Sequence, residues 1–301
     1  MKNEGIVFGL HGDGVNIYGN VASRDEIHGY HRKPHAVDIN KGKKADVNGL
    51  KKVDKRNVLN VLGDDFKSRF SIGFEVEKNQ LHRNAIKEYE LFCGFERDGS
   101  CGYEAVTHIL PLVAASQWRT KVYDMFYKAE KIIDDRFSPS DKRCGGHITI
   151  SCDGLTGKEL NEKVRLFSGI ILALFRHRLK NTYCNTNLTM KPNYSTDYFN
   201  GWHSKYQLAL VKGNLLEFRI ISKFESVKQM MRRYELMYEL LDFAVNNGGT
   251  FKKFLAKIRP IILSMYNGDD IKTDEILALA VDFQALITGH VVSDKIRPFL
   301  P

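Results

Sequence analysis

Two carboxylates two residues apart, Glu75 and Glu77, stand in the apolar, β-prone run from Ile72 to Lys78. Side chains alternate across a strand, so both carboxylates share one face while Phe74 and Val76 share the other. One face can pack and the other can bind a cation. An isolated Glu-x-Glu equally fits a strand whose carboxylates are solvated. A hard divalent cation takes about six oxygen ligands, so other strands must supply donors. Glu104 opens a second strand-like run. His147 alternates with Thr149 and Ser151 against Ile148 and Ile150 in a third. Glu217 and Arg219 share a face opposite Leu216, Phe218 and Ile220 in a fourth, and Asp98 stands at a turn. If these faces line one concave sheet surface, so much like charge is unstable unless cations or arginine neutralise it. Bound Mg2+ or Mn2+ meets that need. Such a site suits phosphoryl transfer, where metal ions bridge triphosphate oxygens and Arg or Lys stabilises the transferring group; metal-dependent hydrolysis fits the same donors. Singly, His147 fits a structural histidine as well as a ligand, and Glu104 or Glu217 a surface residue. Their joint occurrence on strand faces carries the reading.

The elements that must position these residues follow from pattern. From Arg69 a strand runs to Lys78; Leu91 to Glu96 and Tyr103 to Leu110 form a hairpin about Asp98-Gly99-Ser100. Apolar residues at helical spacing predict a helix over Gln117 to Ile133, a strand follows at Gly146 to Cys152, and Gly157 to Lys180 reads as one long helix with Leu166, Ile170, Ala173, Leu174 and Leu179 inward. Asn181 to Asn200, long and aperiodic, reads as a functional loop. Tyr206 to Val211 and Leu215 to Ile221 flank Lys212-Gly213-Asn214 as a second hairpin. Helices over Val227 to Val245, Phe251 to Met265 and Asp274 to Ile287 complete the chain. Asn246-Asn247-Gly248-Gly249 is a break and Pro260 a kink or boundary. Met230, Met231, Tyr234, Met237 and Tyr238 read as helix packing rather than a cofactor box.

Length and composition bound the rest. With 301 residues and 43% hydrophobic content the chain can bury a sizeable core. No run approaches the ~18 apolar residues of a membrane span, and Met-Lys-Asn-Glu-Gly lacks a signal-peptide layout, so a cytoplasmic protein is expected. Five cysteines without Cys-x-x-Cys spacing argue against a disulfide framework or a zinc ribbon and read as reduced thiols. Net charge is +9; between Arg32 and Arg56, nine Lys or Arg against three Asp leave +6. That segment can serve as a polyanion contact, nucleic acid included, but reads first as a solvated arm, since no aromatic is interleaved to stack on bases. Nearby His11, His28, His31 and His35 lack a regular ligand spacing.

Four motifs in order, Gly-Phe-Glu-Val-Glu, Asp98-Gly-Ser followed by Glu104, Cys-Gly-Gly-His-Ile-Thr-Ile-Ser, and Lys-Tyr-Gln-Leu-Ala-Leu ahead of Leu-Glu-Phe-Arg, resemble the amidoligases over about residues 70 to 245. These are carboxylate-amine ligases of the glutamine synthetase and γ-glutamylcysteine synthetase fold. The resemblance implies an α+β chain whose curved antiparallel sheet of glutamine synthetase catalytic-domain type carries flanking helices. The organisation expected is a basic extension over 1–68, a catalytic core over 69–245 and a helical C-terminal region over 246–301. It implies ATP with Mg2+ or Mn2+, and small-molecule or peptide carboxylate and amine substrates joined through an acyl phosphate into an amide or isopeptide bond. Residue by residue, Glu75, Glu77, Asp98, Glu104, His147 and Glu217 match metal positions, with Glu96 an alternative to Asp98, and Arg219 matches the phosphate-side arginine, with Glu217 beside it in the catalytic role. Arg178, near the end of the long helix, matches a nucleotide-side basic residue, though a helix C-terminus attracts basic residues in any case. The competing reading is a non-catalytic structural or nucleic-acid-binding protein on the same fold, using residues 32–56.

Overall fold

A computed structural model describes residues 69–78, 91–98, 101–107, 110–134, 143–152, 154–184, 208–212, 215–290 and 293–300. The N-terminal extension with its basic segment, the Asp98-Gly99-Ser100 turn beyond Asp98, and the loop from residue 185 to 200 lie outside them. The chain is α+β and divides into two compact units. One runs to Gly154 and takes in Lys223–Met231; the other comprises Leu155–Ser222 and Arg232–Pro301. No helix among the described residues is long and apolar enough to cross a membrane.

In the first unit β1 (Phe70–Lys78) is central to an antiparallel sheet. It pairs β3 (Gly102–Thr107) and β5 (Gly146–Cys152), β2 (Phe92–Asp98) pairs β3, and the short β4 (Leu110–Leu112) pairs the start of β1. Every residue of β1 is buried. This decides against a solvated Glu face: a strand covered on both sides cannot leave Glu75 and Glu77 in bulk water. The apolar face carries Ile72, Phe74 and Val76 with Ile148 and Ile150 of β5. Phe74 meets Phe126 and Phe224 edge to face, each at 5.7 Å between centroids, the arrangement ring quadrupoles favour.

Phe126 belongs to α1 (Gln117–Lys128), whose Val122, Met125 and Phe126 turn inward at helical spacing and whose first turn is capped by Ser116 Oγ, accepting from the Arg119 amide. The helix ends at Lys128 and a separate turn, Glu130–Ile133, follows. Lys78, at the end of β1 on the apolar face, donates its ammonium to the carbonyls of Ile133 and Asp134, which satisfies a cation that is 1% exposed.

The second unit holds the hairpin β6 (Ala209–Lys212) and β7 (Leu215–Phe218), paired Leu210 to Glu217, with α2 (Gly157–Val164), α3 (Gly169–Leu174), α5 (Phe251–Met265) and α6 (Asp270–Ile287). Helix α4 (Val227–Val245) begins in the first unit and continues into the second.

The long helix expected over Gly157 to Lys180 is broken: α2 passes into a 3₁₀ turn at Arg165–Phe167, α3 follows, and a second 3₁₀ turn takes Arg176–Arg178. Gln284 of α6 occupies the break, its side chain accepting from the Gly169 amide at 2.9 Å and donating to the Arg165 carbonyl at 3.1 Å. A distant side chain thus replaces hydrogen bonds that a continuous helix would make internally. Gly169 permits the approach, since a Cβ there would lie 2.3 Å from the Ala280 carbonyl oxygen. The phase shift also overturns one expected core position: Leu166 is exposed, and Phe167 turns inward against Phe243 and Phe254.

Other boundaries move less. Helix α6 starts at Asp270 rather than Asp274 because Asp269 caps it, accepting from the Lys272 amide. Pro260 lies inside α5 on its exposed side, where the helix runs through it without a boundary. The break after α4 uses Asn247 and Gly249 at positive φ.

Candidate functional site

The register of the first unit's sheet assembles the site. Glu75 lies directly across from His147, and Glu77 directly across from Glu104; directly opposed residues project from the same face. The neighbouring row continues that face with Thr149 opposite Gly73 and Ser151 opposite Ser71, whose hydroxyls bond at 2.6 Å. A single Glu-x-Glu on the central strand therefore meets an imidazole from one side and a third carboxylate from the other.

The ligating atoms of Glu75, Glu104 and His147 all lie within 4.8 Å of one another, and all three residues are buried. His147 Nδ1 stands 2.5 Å from Glu75 Oε2, and its Nε2 stands 3.5 Å from Glu77 Oε1. The other oxygen of Glu77 accepts from the Gly145 backbone amide, one residue before β5. With Nδ1 donating to the Glu75 carboxylate, the ring is fixed in orientation and presents Nε2 toward Glu77. Three carboxylates, 1% to 7% exposed, surround one imidazole. A buried cluster with that charge calls for a cation.

Two further side chains join this group. Sγ of Cys101, one residue ahead of β3, and Sγ of Cys144, two residues ahead of β5, lie with a Glu77 oxygen within 4.8 Å of one another. Both thiols are buried and neither is in a disulfide. The Cys101 thiol is held well above its ordinary range by its hydrogen bond with Cys144, by burial, and by the negative charge of Glu77 and Glu104. A nearby cation reverses the sign of that electrostatic effect. Reading the cysteines for Cys-x-x-Cys spacing passes over this pair. The usable signal is another one: Cys101-Gly-Tyr-Glu104 and Cys144-Gly-Gly-His147 each place a thiol three residues before a strand-borne donor.

The second unit assembles the other predicted pair. Glu217, fully buried in β7, accepts from Arg219 Nη1, and Arg219, one residue past the strand, is anchored by its backbone amide to the Leu208 carbonyl at 2.8 Å. The expected strand to Ile221 is thus shorter, and Arg219 is reached by an extension of the hairpin. Arg178 is buried in the second 3₁₀ turn, where its carbonyl accepts from Cys184 Sγ at 3.2 Å. Asp98 is the last residue of β2, opposite Gly102, and Glu96 lies opposite Glu104. The side chains of Asp98 and Glu96 lie outside the described part.

No family model matches the chain, and no curated protein sequence matches it.

Proposed function

We propose that this chain is an ATP- and Mg2+- or Mn2+-dependent carboxylate-amine ligase of the amidoligase kind, on a glutamine synthetase-like α+β fold. The observation that supports the reading best is the convergence of Glu75, Glu104 and His147 within 4.8 Å on a buried sheet face, with Glu77 beside them. The donor set fits the ion: carboxylate oxygens predominate, as hard divalent cations require. Burying this many like charges costs stability, which makes sense if a cation is the intended partner.

Glu75, Glu104 and His147 would hold the cation, and Glu77 offers a further oxygen. ATP, when bound, supplies the phosphoryl group that turns a substrate carboxylate into an acyl phosphate open to attack by an amine. The chain's own part is to fix the metal ligands on rigid strands, where the Glu75 to His147 hydrogen bond and the Gly145 amide set their orientation before any ligand arrives. The resemblance assigns Arg219, held by Glu217, and Arg178 to phosphate. A guanidinium matches phosphate oxygens with two parallel donors, which a lysine cannot do. Such an enzyme would work in the cytoplasm, where ATP is at hand.

The test is ATP turnover by the purified chain with Mg2+ against a panel of carboxylates and amines. Glu75→Ala, Glu217→Ala and Arg219→Ala should each abolish it. If the chain binds no nucleotide in the presence of Mg2+ and these substitutions leave its biological activity intact, the ligase reading is wrong.

A further inference from the structure

We propose that Glu77, Cys101, Cys144 and the Nε2 atom of His147 form a tetrahedral site for a thiophilic divalent cation of the Zn2+ class. With Zn–S near 2.3 Å and Zn–N or Zn–O near 2.0 to 2.1 Å, the donors of a tetrahedral shell sit about 3.4 to 3.8 Å apart. The Glu77, Cys101 and Cys144 donors already lie within 4.8 Å of one another, and His147 Nε2 lies 3.5 Å from Glu77 Oε1. Among Glu77, Cys101 and Cys144 the closure required is at most about 1.4 Å, and the fourth donor, His147 Nε2, is placed by its 3.5 Å approach to Glu77 Oε1. Two sulfurs, one nitrogen and one carboxylate oxygen are a mixed set that suits zinc and is poor for Mg2+.

The groups behind the donors fit the same role. His147 donates through Nδ1 to Glu75 at 2.5 Å, the carboxylate-histidine-metal arrangement that fixes the tautomer and raises the basicity of the other ring nitrogen. The Gly145 amide holds Glu77 Oε2 and leaves Oε1 on the histidine side. Four protein ligands close the shell, so the site is structural: it ties the segments leading into β3 and β5 together across β1. Cys152 and Cys184 are also buried and outside any disulfide, but no such donor group gathers around them among the described residues. Binding forms two metal–sulfur bonds and releases the two thiol protons to solvent, with no change of oxidation state.

The site needs neither nucleotide nor Glu104, so it does not rest on the ligase reading. When it is filled, the hard cation is left with the carboxylates of Glu75 and Glu104. The experiment uses the full chain, reduced and stripped of metal, titrated with Co2+ and then Zn2+. Expected is one equivalent of Co2+ with a sulfur-to-cobalt charge-transfer band that Zn2+ displaces. The band should be lost in Cys101→Ser and Cys144→Ser and kept in Cys152→Ser. Glu75→Gln, one step removed from the metal, should weaken Zn2+ binding about 10- to 100-fold. X-ray absorption of the zinc-loaded wild-type chain, which requires no variant to fold, should show two sulfurs at about 2.3 Å and two lighter neighbours. A zinc shell without sulfur, no stoichiometric Co2+ binding, or a charge-transfer band that survives the double Cys101→Ser, Cys144→Ser substitution would each overturn the proposal. Absence of ATP turnover in the wild-type chain, with an intact cobalt band, would count against the ligase reading alone.

Discussion

Replacing Glu104 by Gln should make the metal-free protein more stable and weaken its response to Mg2+. Glu104 is 1% exposed, with ligating oxygens within 4.8 Å of those of Glu75. At that separation two full charges repel by about 3.5 kcal/mol in a medium of effective dielectric near 20. Glu75 is partly compensated by His147, and Gln keeps the shape and half the hydrogen-bonding capacity of Glu, so a net gain of about 1 to 3 kcal/mol is expected. Thermal unfolding in chelator should therefore show a rise in Tm of roughly 2 to 12 °C at about 2 to 4 °C per kcal/mol. Added Mg2+ at a hundredfold excess over its Kd should stabilise the wild type by about 2.7 kcal/mol and the variant far less, bringing the two curves together or crossing them. The reasoning fails if Glu104→Gln lowers Tm in chelator and responds to Mg2+ as the wild type does. That result would make Glu104 an ordinary structural residue.

Packing and capping give three further expectations. Phe74→Ala removes a 1% exposed ring that bridges Phe126 and Phe224, and should cost about 3 to 5 kcal/mol in urea unfolding. Gly169→Ala forces a Cβ against the Ala280 carbonyl and Gln284, backbone atoms included; a loss of about 1 to 3 kcal/mol is expected, while an unchanged midpoint would show that α6 is free to retreat. Glu159 caps α2 reciprocally with Thr156, and the bonds from the Thr156 amide and hydroxyl lower its pKa below the usual 4.5. Because the folded-state value is depressed, the stability Glu159 adds over Glu159→Gln is present above the unfolded value and is lost as pH falls below about 4.5 through the folded one. Paired melts at pH 7 and at successively lower pH read this directly; a difference that grows on acidification would refute it.

Strand identity and facing were legible in the sequence because both depend on local alternation. Gly146 to Cys152 and Ile72 to Lys78 show a period of two, and their polar and apolar faces emerge as that period demands. Helices α4 and α5 were legible for the same reason, with apolar spacing near 3.6 and a break rich in Asn and Gly. Local pattern could not show that the chain between Gly157 and Lys180 breaks. The cause lies more than a hundred residues away in Gln284, and it becomes effective only when α6 packs on Gly169. Nor could it set register. Which residue faces Glu75 is decided by the pairing of β1 with β5, where a slip of one residue would have put Ile148 in the place of His147. The same pairing, with that of β1 and β3, brings together Cys101 and Cys144, 43 residues apart in a sequence whose cysteine spacing suggested only reduced thiols. Residue types and alternation thus determined which side chains were available for chemistry. Which of them meet, and that Glu75 and Glu77 are buried rather than solvated, was decided by long-range strand pairing and by packing that covers both faces of β1.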